Sequence, residues 1–226
     1  MKIAIAGYGV VGRGTHELLL MNRDKIAARA GEEIEVKYVL DPKPLEGTPA
    51  EQLKASGIEE ILADPEVKLL VEAIGGVGPA YEYVKAALES GRSVVTPNKQ
   101  LVAEKGAELL AIAKKKNVGF LFEASVAGGT PVLHPISQCL RANDLDLAAG
   151  ILNGTTNYIL TKMVQEGAGF EETLREAQRL GYAEADPTAD IEGIDACRKV
   201  CILADLLFGK HTDPNKVFTQ GITRIT

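Results

Sequence analysis

Several features that would mark a membrane, secreted or nucleic-acid-binding protein are missing from this sequence. No apolar run approaches the roughly 18 residues of a membrane-spanning helix. A strand pattern begins at the N-terminus, so we expect neither a membrane partner nor a signal peptide. The lysines and arginines are scattered, and the formal net charge is −6. Because proteins that bind nucleic acids or anionic membranes concentrate positive charge, we expect no nucleic-acid partner either.

Cysteine and histidine are also scarce, with three of each. Cys197 and Cys201 lie four apart on an apolar helical face, where small buried side chains are expected rather than metal ligands. His16, His134 and His211 likewise lack the spacing of a metal site, and we expect structural or surface roles for them. A reducing, cytoplasmic location is the simplest expectation.

The first half of the chain alternates short apolar runs with helical patterns. Runs that are apolar on both faces are typical of parallel strands buried inside a sheet. Their alternation with helices predicts an α/β fold, a doubly wound parallel sheet with right-handed crossovers. The predicted strands are residues 2–6, 35–40, 69–73, 93–96 and 118–122, and the predicted helices are residues 16–28, 49–62, 80–90 and 103–116.

A glycine motif, Gly7-Tyr-Gly9-Val-Val-Gly12, follows the first strand and opens the first helix. In that context it is a dinucleotide-binding fingerprint. Gly7 permits the tight turn, Gly9 lets the backbone approach a pyrophosphate, and Gly12 lets helix and strand pack closely. The helix N-terminus supplies N–H groups and the positive end of the helix dipole. We therefore predict that a dinucleotide cofactor contacts Gly7, Tyr8, Gly9, Val10, Val11 and Gly12.

Other positions at strand ends are candidate cofactor contacts, because ligands of open α/β sheets lie there. Asp41 ends the second strand, where a carboxylate can accept hydrogen bonds from the adenosine ribose of NAD. Lys43 could instead meet the 2′-phosphate of NADP, so the choice between the two cofactors stays open. Gly75 and Gly76 follow the third strand and would let a nicotinamide or ribose lie against the backbone. Lys99 follows the fourth strand.

The pattern changes after Glu123, and this change predicts two domains. Residues 1–130 would form a Rossmann-like NAD(P)-binding domain, and residues 131–226 an α+β domain for substrate binding, catalysis and dimerisation. An exposed edge strand at residues 146–152 would seek a pairing partner, so we expect a homodimer. The predicted elements of the second domain are helices at residues 131–141, 157–166, 170–180 and 194–208, and strands at residues 146–152 and 217–222.

The stretch from Gly181 to Lys199 is the most informative part of the sequence. It gathers acidic residues around a turn and places Lys199 one helical turn after Asp195, so that both side chains share a helix face. The plain interpretation is a solvated acidic turn. However, the acids outnumber the lysine, as expected if some of them bind a cation such as a substrate ammonium. The acidic residues are Glu184, Asp186, Asp190, Glu192 and Asp195.

Together these stretches resemble homoserine dehydrogenase, from residue 1 to about residue 226. The resemblance implies NAD- or NADP-dependent interconversion of L-homoserine and L-aspartate 4-semialdehyde, a step in the biosynthesis of threonine, methionine and isoleucine. The stretches that carry it are the glycine motif, Thr96-Pro-Asn-Lys99, residues 123–131, Gly150-Ile-Leu-Asn-Gly-Thr-Thr-Asn-Tyr-Ile159 and residues 181–199.

By this resemblance, Lys199 is the acid/base residue, Asp195 and Glu184 contact the substrate, and Asp190 supports the site. Lys99 would lie near cofactor and substrate, and Gly181 and Glu184 would border the nicotinamide. We also count Tyr182 and Thr155 as candidate substrate contacts, with packing and hydrogen bonding to the backbone as the alternatives. The resemblance further implies a monovalent cation, usually sodium, bound by Glu123 and by the backbone carbonyls of Val126, Gly128 and Thr130.

The residues themselves agree with this chemistry. Reducing an aldehyde requires a hydride at carbon and a proton at oxygen, and the Lys199 ammonium can donate that proton while Asp195 holds it in place. Two alternatives stay open: another nicotinamide enzyme acting on a related amino-acid aldehyde or keto acid, and a non-catalytic fragment. The resemblance implies a longer chain with a further glycine-rich segment near the cofactor. We therefore expect a truncated product or an unusually short relative.

Overall fold

The structure is a computed structural model and describes residues 1–140 and 142–226. The chain divides into two units, Met1–Thr130 and Pro131–Thr226. None of the described helices combines the length and the apolar composition needed to cross a membrane.

Unit 1, Met1–Thr130, contains a five-stranded parallel sheet in the order β2-β1-β3-β4-β5. The chain runs from β1 to β2 on one side and then returns to place β3 on the other side of β1. In sheets of this kind, ligands bind outside the carboxyl ends of the strands where the order reverses, which is here between β1 and β3. The strands are β1 Lys2–Ala6, β2 Glu35–Leu40, β3 Val67–Glu72, β4 Ser93–Val95 and β5 Phe120–Leu121.

The predicted doubly wound parallel sheet is confirmed, and its strands carry fully buried apolar side chains. Ile3, Ile5, Val39 and Leu70 are all at most 1% exposed. Each fully buried side chain of this size contributes about 1.5–3 kcal/mol relative to an exposed one. The last three predicted strands are shorter or shifted by a few residues, which is the usual uncertainty of element ends.

The helices of unit 1 differ from the prediction in two places. The first helix begins at Val10, inside the glycine motif, and a break at Asn22 separates it from a second helix. The helix predicted at residues 49–62 is interrupted, because Ala55 N–H donates to the Val39 carbonyl at 2.9 Å and the chain runs alongside β2. The helices are α1 Val10–Met21, α2 Arg23–Ala30, α3 Ile58–Ala63, α4 Gly78–Glu89, α5 Lys99–Lys116 and α6 Ala124–Ala127, with a 3₁₀ turn at Glu51–Leu53.

The regular elements of unit 2, Pro131–Thr226, are all helical among its described residues. The helix α7 packs against α8 around Ile159, Ala177 and Ala183, and α10 packs against α9 and two short helical turns. The elements are a π-helical turn Pro135–Cys139, α7 Gly154–Glu166, α8 Phe170–Arg179, α9 Thr188–Ile191, α10 Ile194–Phe208 and a 3₁₀ turn Pro214–Lys216.

The two strands predicted in unit 2, and with them its α+β character, are wrong for the described residues. A strand needs a hydrogen-bonded partner, and the described chain offers none to residues 146–151, where Leu147 and Ile151 are 80% and 78% exposed. Within residues 217–222, residues 219–222 instead pack against the turn between α9 and α10, with Ile222 N–H donating to Ile191 O at 2.8 Å. The strongest packing partners of α10 in the described chain are helical elements.

The helix predicted at residues 131–141 is much shorter than expected. Only Leu133 and His134 precede the π-helical turn Pro135–Cys139. A proline has no N–H and its ring clashes with the carbonyl one turn earlier, so Pro135 does not permit a regular helix to run through from Pro131. The final residue of the prediction, Arg141, lies outside the described residues.

Candidate functional site

The glycine loop joins β1 to α1 with two close backbone approaches. Gly7 has a φ of +92°, and a Cβ placed there would lie 2.5 Å from the Ala73 carbonyl carbon, so the loop touches the segment after β3. A Cβ on Gly12 would overlap the Gly7 backbone oxygen, whereas Gly9 has no atom within 4 Å of such a position. Two of the glycines are therefore required by packing, and Gly9 leaves space above the loop.

The start of α1 offers unpaired N–H groups beside that space. Gly9 is the N-cap and provides no side-chain cap, so the first N–H groups of the helix lack an intrahelical acceptor. Val10 and Val11 are 93% and 51% exposed. Exposed N–H groups at the positive end of a helix dipole suit an anion such as a pyrophosphate.

Asp41, directly after β2, is held by the backbone on both sides of it. One carboxylate oxygen accepts from Tyr8 N–H at 2.6 Å and the other from Lys43 N–H at 2.8 Å. The carboxylate keeps free lone pairs, because each of its oxygens can accept more than one hydrogen bond. A cavity of about 860 Å³ opens here, lined by the glycine loop, Asp41, Lys43, Lys54 and Ile74 among others. Its size and position suit the adenosine end of a dinucleotide.

His16 lies under the glycine loop rather than at a ligand site. It is 4% exposed, and its Nδ1 is 2.8 Å from the Tyr8 hydroxyl. Burial lowers the pKa of His16 and raises the pKa of Tyr8. His16 therefore has the structural role that we expected, because its contact with Tyr8 packs this tyrosine of the glycine motif into the core.

The segments after β3 and β4 are connected by a residue that sequence reasoning missed, Glu72. It is fully buried, and one of its carboxylate oxygens accepts from the N–H groups of Ile74 at 2.7 Å and Gly75 at 3.1 Å. Gly75 and Gly76 both have positive φ, +82° and +67°. An acidic residue at the end of an apolar strand, just before paired glycines, is the sequence signal that could have identified it.

Lys99 and the predicted cation ligands belong to the following elements of unit 1. Lys99 is the first residue of α5, whose N-cap Asn98 accepts from Leu101 N–H. Glu123 immediately precedes the short helix α6, and Gly128 ends it with a φ of +58°.

In unit 2, the predicted pair of Lys199 and Asp195 is formed on α10. The Lys199 ammonium lies 2.8 Å from an Asp195 carboxylate oxygen and donates to the Leu152 carbonyl at 2.7 Å. The two side chains are only 14% and 5% exposed. A charged pair with so little exposure is costly to desolvate unless it is well hydrogen-bonded, and so it marks a candidate functional site.

Asn153 joins this pair to a second carboxylate, and sequence reasoning missed it. Its side-chain N–H₂ donates to Asp190 at 2.6 Å and to Asp195 at 3.0 Å. Its side-chain oxygen accepts from Thr156 N–H at 2.8 Å and caps α7. An asparagine preceding a helix is a capping signal, but its two acidic partners lie too far along the chain to be read from the sequence.

The remaining residues that were predicted to contact the substrate or the nicotinamide differ in their exposure and in their hydrogen bonds. The Thr155 hydroxyl donates to the Tyr182 carbonyl at 2.7 Å, which matches the alternative of hydrogen bonding to the backbone. Tyr182 is 59% exposed, and its ring lies tilted by 51° against that of Tyr158, with the ring centroids 5.0 Å apart. Glu184 is exposed, and its carboxylate forms no hydrogen bond or ion pair with any residue that the structure describes. Gly181, with a φ of +79°, follows α8.

One further acid, Asp186, and two of the cysteines have structural roles. Asp186 accepts from the Thr188 hydroxyl and N–H, which lowers the pKa of Asp186. Cys197 and Cys201 are buried on α10, and burial followed by the neighbouring Cys197 raises the pKa of Cys201 to about 12. Within residues 1–140 and 142–226, no cluster of three histidine, cysteine or acidic side chains could hold a metal ion.

Comparisons with known proteins match both units to one family. The chain is 46% identical over 228 residues to a homoserine dehydrogenase of Pseudomonas aeruginosa, covering 100% of this chain and 52% of that protein. A solved homoserine dehydrogenase from Thiobacillus denitrificans has a TM-score of 0.91 and 44% identity, covering 100% of this chain and 53% of that one. A hyperthermophilic archaeal homoserine dehydrogenase in complex with NADPH has a TM-score of 0.84 and 28% identity, covering 100% and 75%.

This chain therefore spans about half the length of the curated relatives that it matches. Residues 7–123 match the family model described as homoserine dehydrogenase, NAD binding domain, and residues 131–226 match the model described as homoserine dehydrogenase. With both units matched in this way, the chain belongs to the homoserine dehydrogenase family.

Proposed function

We propose that this chain carries out the NAD(P)-dependent interconversion of L-homoserine and L-aspartate 4-semialdehyde, within the pathway to threonine, methionine and isoleucine. The observation that carries the proposal is the Lys199 ammonium, held by Asp195 at 2.8 Å and by the Leu152 carbonyl at 2.7 Å. The fold of unit 1 supports it, because the glycine loop, the exposed helix start and Asp41 form the features that a dinucleotide requires.

Lys199 is proposed as the proton donor and acceptor. A lysine ammonium carries three N–H donors, and the contacts to Asp195 and Leu152 use two of them. The third can donate to the substrate oxygen as hydride reaches the carbon, and the same amine can take the proton back in the oxidation of homoserine. Asp195 keeps the ammonium in place and balances its charge in a nearly dry environment.

Glu184 and Asp190 are proposed to bind the α-ammonium of the amino-acid substrate. The Glu184 carboxylate forms no hydrogen bond or ion pair with any of the described residues. Asp190 accepts one hydrogen bond, from Asn153 at 2.6 Å, and retains acceptor capacity. Carboxylates with acceptor capacity left over suit a cationic group of the substrate, since hydrogen bonds between ionised groups are the strong ones. The roles of Tyr182 and Gly181 stay predictions of the same kind.

The residues of unit 1 fit NAD(P), which supplies the hydride when bound. The open space at Gly9 and the free N–H groups of α1 would hold the pyrophosphate. Asp41 can accept from ribose hydroxyls, as in NAD, and Lys43 and Lys54 line the same cavity and suit the extra phosphate of NADP. We therefore propose that the chain accepts both cofactors, and steady-state assays with each will measure the preference.

A monovalent cation, with sodium preferred, is proposed beside Glu123. One carboxylate and the backbone carbonyls of Val126, Gly128 and Thr130 are hard oxygen donors, the kind that alkali and alkaline-earth ions prefer. The left-handed Gly128 turns the backbone away from the helical path. Activity that rises with sodium chloride but not with choline chloride, and less so in Glu123→Gln, is the expected result.

A homodimer and a cytoplasmic location remain proposals. The edge strand from which the dimer was predicted is absent from the described residues, so the proposal now rests on the exposed apolar side chains of unit 2, such as Leu147, Val164 and Phe218. Light scattering after size-exclusion chromatography measures the mass directly.

Lys199→Ala tests the function most directly. We expect kcat to fall by about 10²–10⁴, the usual worth of a positioned proton donor, with an unchanged circular dichroism spectrum. The matched control is Lys162→Ala, which removes another i,i+4 lysine–acid pair, at 3.2 Å from Glu166 on α7, and should leave turnover unchanged.

Three outcomes would contradict the proposal. If Lys199→Ala keeps turnover within about threefold of the parent, the proton-transfer role is wrong. A preference for substrates that lack the α-amino group would favour a different nicotinamide enzyme. If the parent protein binds neither NAD(H) nor NADP(H) at millimolar concentration in calorimetry, the chain is a non-catalytic fragment.

A further inference from the structure

Glu72 is a buried acid that the proposed reaction does not use. It is the last residue of β3 and 0% exposed, and it forms no ion pair with any residue in the described part of the chain. Burying a carboxylate without a cation is costly unless several donors hydrogen-bond to it. Such a residue therefore requires a specific reason for its position.

Three donors converge on the two carboxylate oxygens. Oε1 accepts from Ile74 N–H at 2.7 Å and from Gly75 N–H at 3.1 Å, and Oε2 accepts from the Thr96 hydroxyl. All three donors come from segments at the carboxyl ends of β3 and β4, the side of the sheet where ligands bind. Glu72 thus holds the backbone of one segment and the side chain of the next.

The network continues from Thr96 to the start of α5 and returns to the glycine segment. The Thr96 hydroxyl oxygen accepts from Asn98 N–H at 2.9 Å, and the Asn98 side-chain N–H₂ donates to the Gly76 carbonyl at 2.7 Å. The Asn98 side-chain oxygen also caps α5 by accepting from Leu101 N–H at 3.1 Å. The closed set of hydrogen bonds therefore fixes residues 73–76 and 96–98 as one piece.

We propose that Glu72 is a positioning residue for the nicotinamide half of the cofactor, acting through the backbone of residues 73–76. Gly75 and Gly76 adopt left-handed conformations, φ +82° and +67°, that leave their backbone facing open space without any Cβ. Glu72 selects this conformation by accepting the N–H groups of Ile74 and Gly75. The inference rests on the proposed function, because it requires that the chain bind NAD(P).

Glu72→Gln keeps the size of the side chain and removes the charge and one acceptor oxygen. A glutamine offers one oxygen and one N–H₂ group, so it cannot reproduce both the paired backbone contacts and the acceptance of the Thr96 hydroxyl. We expect the Kd for NAD(P)H to rise about tenfold, the worth of one hydrogen bond to a charged group. The cofactor KM should rise more than kcat falls, with the homoserine KM within about twofold of the parent.

Asp64→Asn is the matched control. Asp64 lies just before the other end of β3 and accepts the same kinds of donor, Glu66 N–H at 2.9 Å and the Tyr38 hydroxyl at 3.1 Å, together with the Lys37 ammonium. The Asp64→Asn substitution should lower the unfolding midpoint but leave the Kd for the cofactor unchanged. Amide hydrogen exchange should accelerate at residues 73–76 in Glu72→Gln and not in Asp64→Asn.

A second pair of variants covers the case in which Glu72→Gln does not fold. Thr96→Val removes the hydroxyl that joins Glu72 to Asn98 and should weaken cofactor binding severalfold, whereas Thr96→Ser keeps the hydroxyl and should restore it. If a folded Glu72→Gln, or Thr96→Val when Glu72→Gln does not fold, binds NAD(P)H within about twofold of the parent, Glu72 is only structural. If the parent itself binds no cofactor, the proposed function fails and this inference fails with it.

Discussion

Asn153 allows a quantitative test of how unit 2 holds its acidic side chains. It is 8% exposed and makes three kinds of contact: to Asp195, to Asp190, and to Thr156 N–H at the start of α7. A hydrogen bond to a charged group contributes about 1.5–3 kcal/mol. The bond to Asp195, which is 3% exposed, should reach that range, and the bond to the half-buried Asp190 should contribute less because water can replace it. The helix cap adds ~1 kcal/mol.

Two substitutions separate these contributions. Asn153→Ser keeps a capping oxygen but cannot reach the two carboxylates, so it should lower the free energy of unfolding by about 2 kcal/mol. Asn153→Ala removes the cap as well and should cost about 3 kcal/mol. Both should also lower kcat/KM for homoserine, because Asp195 would lose the neighbour that fixes its orientation beside Lys199. Urea unfolding followed by circular dichroism measures the free energies of unfolding, and a steady-state assay measures kcat/KM for homoserine.

Three results would each contradict part of this reasoning. Asn153→Ser with parental stability would mean that solvent replaces the bonds to the carboxylates at no cost. Equal stabilities for the serine and alanine variants would mean that the cap does not stabilise α7. A loss of stability without any change in kcat/KM would separate the structural role of Asn153 from the orientation of Asp195.

Two further predictions concern unit 1. Gly12→Ala should abolish cofactor binding and destabilise the fold, because the added Cβ would overlap the Gly7 backbone oxygen. Gly14→Ala is the control: no atom lies within 4 Å of its added Cβ, so it should stabilise α1 by about 0.5–1 kcal/mol. Equal thermal midpoints and equal cofactor affinities for the two variants would contradict this prediction. Burial lowers the pKa of His16 from 6.5, so its folded form binds fewer protons than the unfolded chain. Its contribution to stability is therefore present above pH ~6.5 and lost as pH falls toward the lowered pKa. The free energy of unfolding should decrease between pH 7.5 and 5.5 by more in the parent than in His16→Gln, and identical losses would show that His16 does not titrate on unfolding.

Local patterns predicted the elements whose ends are marked in the sequence itself. Strands β1 and β2 and the helix α10 begin and end where the sequence predicted, because apolar periodicity and glycines mark their limits. The strands expected at residues 146–152 and 217–222 are absent, because pairing depends on a distant partner that no local pattern reveals. The pair of Lys199 and Asp195 was predictable from its spacing of four residues on a helix.

The residues that sequence reasoning missed are those whose partners are distant. Asn153 meets Asp190 and Asp195 across 37 and 42 positions, and Glu72 meets Thr96 across 24. Each looks ordinary by itself, one as a helix cap and the other as an acid at a strand end. Only the folded chain shows that each connects two segments.

The contact between the glycine loop and the segment after β3 limits which positions of the crevice can vary. Any side chain at residue 7 would have to displace the backbone at Ala73, because a Cβ would lie 2.5 Å from its carbonyl carbon. The opposite wall, formed by exposed residues such as Pro42 and Lys43, has no such restriction. A mutagenesis library intended to change coenzyme selectivity should therefore diversify the wall after β2 and leave the glycine turn untouched.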